Sequence, residues 1–363
     1  MTSEDWVGRA LAAVVERIGV TAAEVGTRYP LYAEPADGTW KTTGRGSWAG
    51  GFWAGLLWLR ARITGSTADR EAAAACTARL EPWVDADTAT RGLIFWYGTA
   101  LAGEDDADAA ALRDRAARAC AAARDPEPGL VPWGGAFGGP RMLARVDGVP
   151  GMVPLLAGAG SESAGVAAAH LHRHLDFCLG EGPVQGVWPE PAWSFDSATG
   201  WQPCADPPTD WSRGQAWLLL AVADALLRPE VLMGQERFAG AAEQMLSEGD
   251  FLTGPVVAAA RTTRPDGPLD TSAAAITAVA LLKLARVPGP RAAACSDRAT
   301  AILRRLAEAH LSQREAGRPA GMLLDGCYDA GKGLAVRHEL IWGDFFLALG
   351  LAFLAGVVDI TRV

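Results

Sequence analysis

The chain has no uncharged apolar run long enough to span a bilayer; its most apolar stretch, Ile341–Val358, is interrupted by Asp344. Its first residues, Met1-Thr-Ser-Glu-Asp-Trp6, carry neither the basic nor the apolar region of a secretory signal, so the expectation is a soluble, cytoplasmic protein without membrane contact. Positive charge is in deficit: 33 Lys and Arg face 42 Asp and Glu, a formal charge of −9 with no basic cluster, which argues against nucleic acid as a partner. Histidine is scarce at five residues, HExxH is absent, and His170, His172 and His174 alternate with a period that fits one helix face poorly. The six cysteines (76, 120, 178, 204, 295, 327) show no CxxC or metal spacing and read as reduced, mostly buried thiols. No metal and no cofactor is expected. Strand-like alternation is nearly absent, and no motif recurs at a fixed period.

What is present is helical periodicity. Apolar spacing predicts helices at about 4–18, 50–63, 68–82, 91–102, 107–124, 148–159, 163–179, 213–228, 235–248, 272–286, 291–312 and 341–357. Ser66 with Asp69 reads as a capping box, and Asp270 or Thr271 as the cap of the tenth helix. Twelve helices without a linker suit a single domain over 1–363, all-α, in which helical hairpins close into an inner and an outer ring; an open solenoid is the other architecture. Gly50, Gly51, Gly55, Gly214 and Gly350 would let helices approach closely. Connections at 19–47, 125–147, 180–212 and 313–340 exceed ordinary bundle turns and are candidates for a pocket rim. Fourteen tryptophans are many, and Trp40, Trp48, Trp133, Trp188, Trp193, Trp201 and Trp211 fall in Gly/Pro/Asp-rich connections between helical segments, where aromatics are more often ligand platforms than in helix stripes.

The segment Trp211-Ser-Arg-Gly-Gln-Ala-Trp217 opens a helix with Arg213 and Trp217 four residues apart on one face. A guanidinium forks onto a carboxylate and an indole covers a sugar ring, so the pair suits an anionic, ring-shaped ligand. The plain alternative is an Arg paired with a protein Asp and a Trp in the core.

Five stretches in order carry a resemblance: Ser47-Trp-Ala-Gly-Gly-Phe-Trp-Ala-Gly-Leu-Leu-Trp58, Arg145-Val-Asp-Gly-Val-Pro-Gly-Met-Val-Pro-Leu-Leu156, Trp211–Trp217, Asp270-Thr-Ser-Ala-Ala-Ala-Ile276 and Ile341-Trp-Gly-Asp-Phe-Phe346. Together they resemble the unsaturated glucuronyl hydrolases of glycoside hydrolase family 88 and their rhamnogalacturonyl relatives. The resemblance implies an (α/α)6 barrel, six-hairpin and glycosidase-like. It also implies removal of a 4,5-unsaturated uronic acid by acid-catalysed hydration of the C4=C5 bond, outside the usual two-carboxylate scheme.

Residue by residue, the resemblance makes Asp147 the general acid and base. Its neighbours Val146 and Val149, with Trp133 upstream, would desolvate it; a local reading makes it the N-cap of helix 148–159. Trp48 and Phe52 match an aromatic pair on the uronate ring, though a core stripe suits Phe52 better, and Trp133 resembles a further stacking residue. Arg213 and Trp217 match substrate-contacting positions with Gln215 between them, whereas Asp270 and Asp344 read as caps or braces.

Two departures stand out. The family's His-Asp pair before an early inner helix is replaced here by Thr90-Arg91-Gly-Leu-Ile-Phe95, with Asp85 and Asp87 nearby, and Trp193-Ser-Phe-Asp-Ser-Ala-Thr-Gly200 lacks the family's preceding His. Arg91 is then a clamp for an acidic substituent, a salt-bridge partner of Asp147, or an exposed first-turn Arg. The expected ligand is a small acidic sugar or related enol ether. The other readings are an enol-ether hydratase of small-molecule metabolism and a non-catalytic sugar-acid binder. A sugar epimerase would need catalytic His residues in other places, and a terpene-type cyclase an Asp-rich motif, for which only Glu104-Asp105-Asp106 offers itself.

Overall fold

The computed structural model describes residues 6–103, 106–179, 190–231, 234–315 and 317–363. Among them run twelve helices: α1 (Trp6–Val25), α2 (Gly50–Thr64), α3 (Thr67–Ala78), α4 (a π-helical turn, Gly92–Trp96, continued by Tyr97–Thr99), α5 (Ala107–Ala122), α6 (Met152–Ala157), α7 (Ser161–Leu179), α8 (Ser212–Leu226), α9 (Gln235–Glu248), α10 (Thr271–Leu284), α11 (Ala292–Ala309) and α12 (Ile341–Leu354). Even- and odd-numbered helices differ in kind. In α12 every residue from Ile341 to Ala352 is buried, whereas α11 buries only the stripe Cys295, Ala299, Ile302, Leu303 and Leu306. A helix apolar all round belongs inside, and one with a single apolar stripe belongs on the outer layer.

The contacts follow that division. Helix α2 packs on α4, α4 on α6, α6 on α8, α8 on α10, α10 on α12 and α12 on α2; α3, α7, α9 and α11 lie against α2, α6, α8 and α10, and α1 against α12. This is an α/α barrel-type fold. Close approach of α2 to α4 demands glycine: a Cβ on Gly51 would sit 2.3 Å from the carbonyl oxygens of Leu93 and Ile94. The foreseen caps form, with Ser66 accepting from the Asp69 N–H at 3.3 Å and Asp270 from Ser272 and Ala273 at 3.1 and 3.4 Å. Asp106 caps α5 by accepting from Ala109 at 3.0 Å, while Glu104, Asp105 and Trp188 lie outside the described residues. No helix of the described residues is long and apolar enough to cross a membrane.

The long connections are not irregular. Among the described residues they hold seven strands: β1 (Tyr29–Ala33), β2 (Trp40–Thr43), β3 (Leu143–Arg145), β4 (Ala192–Asp196), β5 (Gly200–Pro203), β6 (Gly326–Asp329) and β7 (Leu334–Leu340). These pair antiparallel into one sheet of order β2-β1-β7-β6 and another of order β3-β4-β5. With three to seven residues each, and few of them alternating cleanly, the strands left little periodic trace in the sequence. Several loop tryptophans prove structural. Trp40 is buried with its Nε1 donating to Thr21 at 3.1 Å, and Trp193 stacks on Phe177 with ring centres 5.0 Å apart.

Candidate active site

The site forms where β3 runs into a 3-10 turn, Val146–Gly148, ahead of α6. Asp147 sits in that turn. It caps no helix, since α6 starts only at Met152 with Gly151 as its N-cap, so the expected helix 148–159 is shorter and the capping role falls away. Instead both carboxylate oxygens accept from Arg145, Nε to Oδ1 and Nη2 to Oδ2, each at 3.0 Å. The two side chains remain 25% (Arg145) and 20% (Asp147) exposed. The Arg145 guanidinium lies 4.7 Å from the ring centre of Trp133, a cation–π platform. Burial opposes its charge, but Asp147 outweighs that by charge and bonding, with Asp206 adding to it, so Arg145 holds its proton more firmly than usual.

Beneath this turn lies a buried histidine pair on α7. His170 and His174 have ring centres 4.3 Å apart; His170 Nδ1 accepts from the Val131 N–H at 3.2 Å, and His174 Nδ1 lies 2.8 Å from the His170 carbonyl. Burial holds His170 well below the usual imidazole range and brings His174 down to about 4, with the Arg145 backbone pulling the other way on His174. Both rings are neutral supports. Among the described residues no cluster of three His, Cys, Asp or Glu could hold a metal ion.

Aromatic residues at the starts of α2 and α12 and in β6 form a second group. Trp48 is half-buried, donates from Nε1 to the Tyr328 hydroxyl at 3.3 Å, and lies 4.8 Å from the Trp342 ring. Burial pushes the Tyr328 hydroxyl up, opposed by the Trp48 bond, and Asp147 and Arg145 both act on it through their charges. Tyr328 therefore joins the Trp48 group to the Asp147 turn.

The other expected ligand contacts have different surroundings. Phe52 and Trp217 are fully buried and stack with ring centres 6.3 Å apart, amid Phe346 and its neighbours: they are core. Arg213 is buried too, with its guanidinium on Asp270 and on the carbonyls of Cys327 and Tyr328, each at 2.6 Å. It fixes β6 rather than facing solvent. Gln215 lines a separate cavity of about 230 Å³ between α8, α10 and the segment 250–269, where its Nε2 has no partner. Asp344 is buried without capping α12, and burial together with Glu339 raises its pKa well above the carboxylate range.

Arg91 meets none of its three expected settings. It is buried, donates to the carbonyls of Val84 at 2.8 Å and Thr88 at 2.9 Å, and lies beside Cys120, whose thiol burial pushes up to about 11. Because the carbonyls of its own preceding loop are nearer than any carboxylate, Arg91 braces that loop. Asp87 is likewise occupied, accepting from Gly135 N–H and Arg141 Nε at 3.0 Å each. The residues the structure adds around Asp147, which sequence reasoning did not single out, are Arg145, Tyr328 and, through its charge, Asp206. Only the first left a trace in the sequence, an Arg two residues before the Asp.

The fold and the site thus define a helical-barrel protein with a partly exposed carboxylate held by an arginine that lies over an aromatic ring. No family model matches the chain. It is 26% identical to the unsaturated glucuronyl hydrolase of Bacillus sp. (strain GL1), over 92% of this chain and 93% of that one. The solved structure of the Bacillus sp. GL1 enzyme superposes with a TM-score of 0.81 at 23% identity, covering 96% of this chain and 95% of that one. The unsaturated glucuronyl hydrolase of Streptococcus agalactiae gives 0.82 at 18% identity, covering 99% and 94%. Over nearly its whole length the chain is thus similar to unsaturated glucuronyl hydrolases in sequence and in fold, at 26% identity or below.

Proposed function

We propose that this protein is a glycoside hydrolase that removes a 4,5-unsaturated uronic acid from the end of an oligosaccharide by hydrating its double bond. The observation that carries the reading is Asp147, a partly accessible carboxyl group paired with Arg145, whose guanidinium lies over Trp133, and acting by its charge on Tyr328, the partner of Trp48, in a chain similar along nearly its whole length to an unsaturated glucuronyl hydrolase. We read the return of α12 onto α2 as closure of a six-hairpin (α/α)6 barrel, one catalytic domain over 1–363.

The chemistry follows from the substrate's enol ether. The ring-oxygen lone pair enriches C4, so the Asp147 carboxyl proton adds there; the π electrons form the new C4–H bond, and positive charge develops at C5, shared with the ring oxygen. Water attacks C5 and its proton passes to the Asp147 carboxylate, which restores the acid. The resulting C5 hemiketal opens to a ketone. C1 is then a hemiacetal bearing the aglycone, and its collapse to an aldehyde releases the shortened sugar. Trp48 and Trp133 stack on the sugar rings. Arg91, Arg213, Phe52 and Trp217 serve by holding the walls.

Asp147→Asn tests the reading directly. With a 4,5-unsaturated disaccharide, wild type consumes the conjugated-alkene absorbance and releases reducing sugar, while the variant loses activity by at least ~10²–10⁴-fold, the usual worth of a positioned acid. Equal rates in the two proteins, or a wild type inert to every unsaturated uronide offered, defeat it.

A further inference from the structure

The acid and the guanidinium next to it form one device. We propose that Arg145 is the receptor for the ligand's carboxylate, and that it takes up this role by exchanging Asp147 for the ligand. The inference rests on the reading above and assigns the residue that makes the site specific for acidic sugars.

Four observations support it. The Arg145–Asp147 pair is fork to fork, with both bonds at 3.0 Å, the geometry in which a guanidinium holds any carboxylate, a ligand's included. The fork is also held in place: the backbone of Arg145 pairs with Ala192 in the β3–β4 ladder, and its guanidinium lies over Trp133. The partners are partly open to solvent at 25% and 20% exposure, where such a pair contributes only about 0–1 kcal/mol, so its exchange is cheap. Finally, Arg91 and Arg213 are both buried against protein acceptors and are not available for the task.

The exchange also solves a chemical difficulty. Asp147 must carry a proton on one oxygen to protonate carbon, yet both oxygens accept from Arg145. A carboxyl O–H there would displace one of those bonds. An arriving uronate presents its own carboxylate to the fork, Asp147 gains a proton from solvent, and one carboxylate still faces one guanidinium. The charge around Arg145 is the same before and after. Because the uronate carboxylate is attached to C5, seating it on Arg145 brings the adjacent C4 to the residue two positions along the chain. Arg145 would thus bind the ligand and release the acid in one movement.

The test is a cycle between the side chain and the ligand group. Wild type, Arg145→Gln and Arg145→Lys are compared on an unsaturated disaccharide and its uronate methyl ester for kcat and KM. The corresponding saturated uronic acid and its ester are compared on the same proteins by calorimetry. If Arg145 holds the carboxylate, esterification weakens wild-type binding by roughly 10- to 100-fold, as for a lost charge-assisted bidentate pair. Arg145→Gln then binds the acid as wild type binds the ester, and esterification costs it nothing further. Arg145→Lys keeps the charge without the fork and recovers part of the loss, seen in KM more than in kcat. Independent, multiplicative losses overturn the assignment, as does a wild type that binds acid and ester alike or binds neither at millimolar concentration. Coupling in calorimetry without turnover retains Arg145 as receptor and sinks the hydrolase reading; turnover without coupling does the reverse.

Discussion

Arg213 and Asp270 form a buried ion pair beneath β6, and the same guanidinium donates to the carbonyls of Cys327 and Tyr328 at 2.6 Å. Asp270 in turn caps α10 by accepting from Ser272 and Ala273. One pair therefore ties the starts of α8 and α10 to the strand that carries Tyr328. The cation opening the Trp211–Trp217 motif shapes the site from behind.

This arrangement predicts a large stability effect and partial rescue. Arg213→Leu leaves the Asp270 charge buried and unpaired, at a cost of about 3–5 kcal/mol. Adding Asp270→Asn, which keeps an oxygen for the cap, recovers more than half of that loss in urea unfolding. If Arg213→Leu unfolds at the wild-type urea midpoint while its KM rises tenfold, Arg213 contacts substrate and the brace is wrong.

Gln215 gives the opposite expectation. Its Nε2 is buried without a partner in the cavity beside α8 and α10. Gln215→Leu removes an unsatisfied donor and should be neutral or stabilising by about 1 kcal/mol, since a buried orphan carries a desolvation penalty. KM for an unsaturated disaccharide should stay within about twofold, because no ligand bond is lost. A pronounced rise in KM would return Gln215 to the substrate site.

The histidines beneath Asp147 predict acid sensitivity. The folded protein holds His174 at about 4, against 6.5 for the free side chain, chiefly through burial. Between those values the unfolded chain binds a proton that the folded one does not, so stability falls as pH drops from 6.5 towards 4. This single group accounts for about 3 kcal/mol at most, and His170 acts in the same direction. Glu339 and Asp344, with raised values, act in the opposite direction, so the measurement is a difference. Urea unfolding at a series of pH values should show His174→Asn, which can keep a bond to the His170 carbonyl, with a slope shallower by one proton. An unchanged slope would mean that His174 titrates normally in the fold.

The helices were legible because each buries a face, and burial writes a 3.6-residue period into the chain whatever its neighbours are. Most of the twelve ranges needed only small adjustment at their ends, but α1 runs on to Val25 instead of stopping at 18, and α6 starts well inside its expected bounds, because Pro150 and Gly151 delay it. The seven strands among the described residues escaped notice because segments of three to seven residues are too short to leave a clear alternation. Missing β3 also hid the Arg145–Asp147 pair, which forms where the chain passes from that strand into the 3-10 turn.

By itself the sequence determined the layered helical architecture and the order of its motifs, since these follow from local periodicity and residue type; it offered Asp147 only through the resemblance its motif carries. The partner of each charge was decided only by the tertiary structure. Five arginine N–H donors can be satisfied by any carboxylate or carbonyl within reach, and reach is a property of the packed chain: Arg213 found Asp270, 57 residues away, Arg91 found the carbonyls of its own loop, and Arg145 found Asp147.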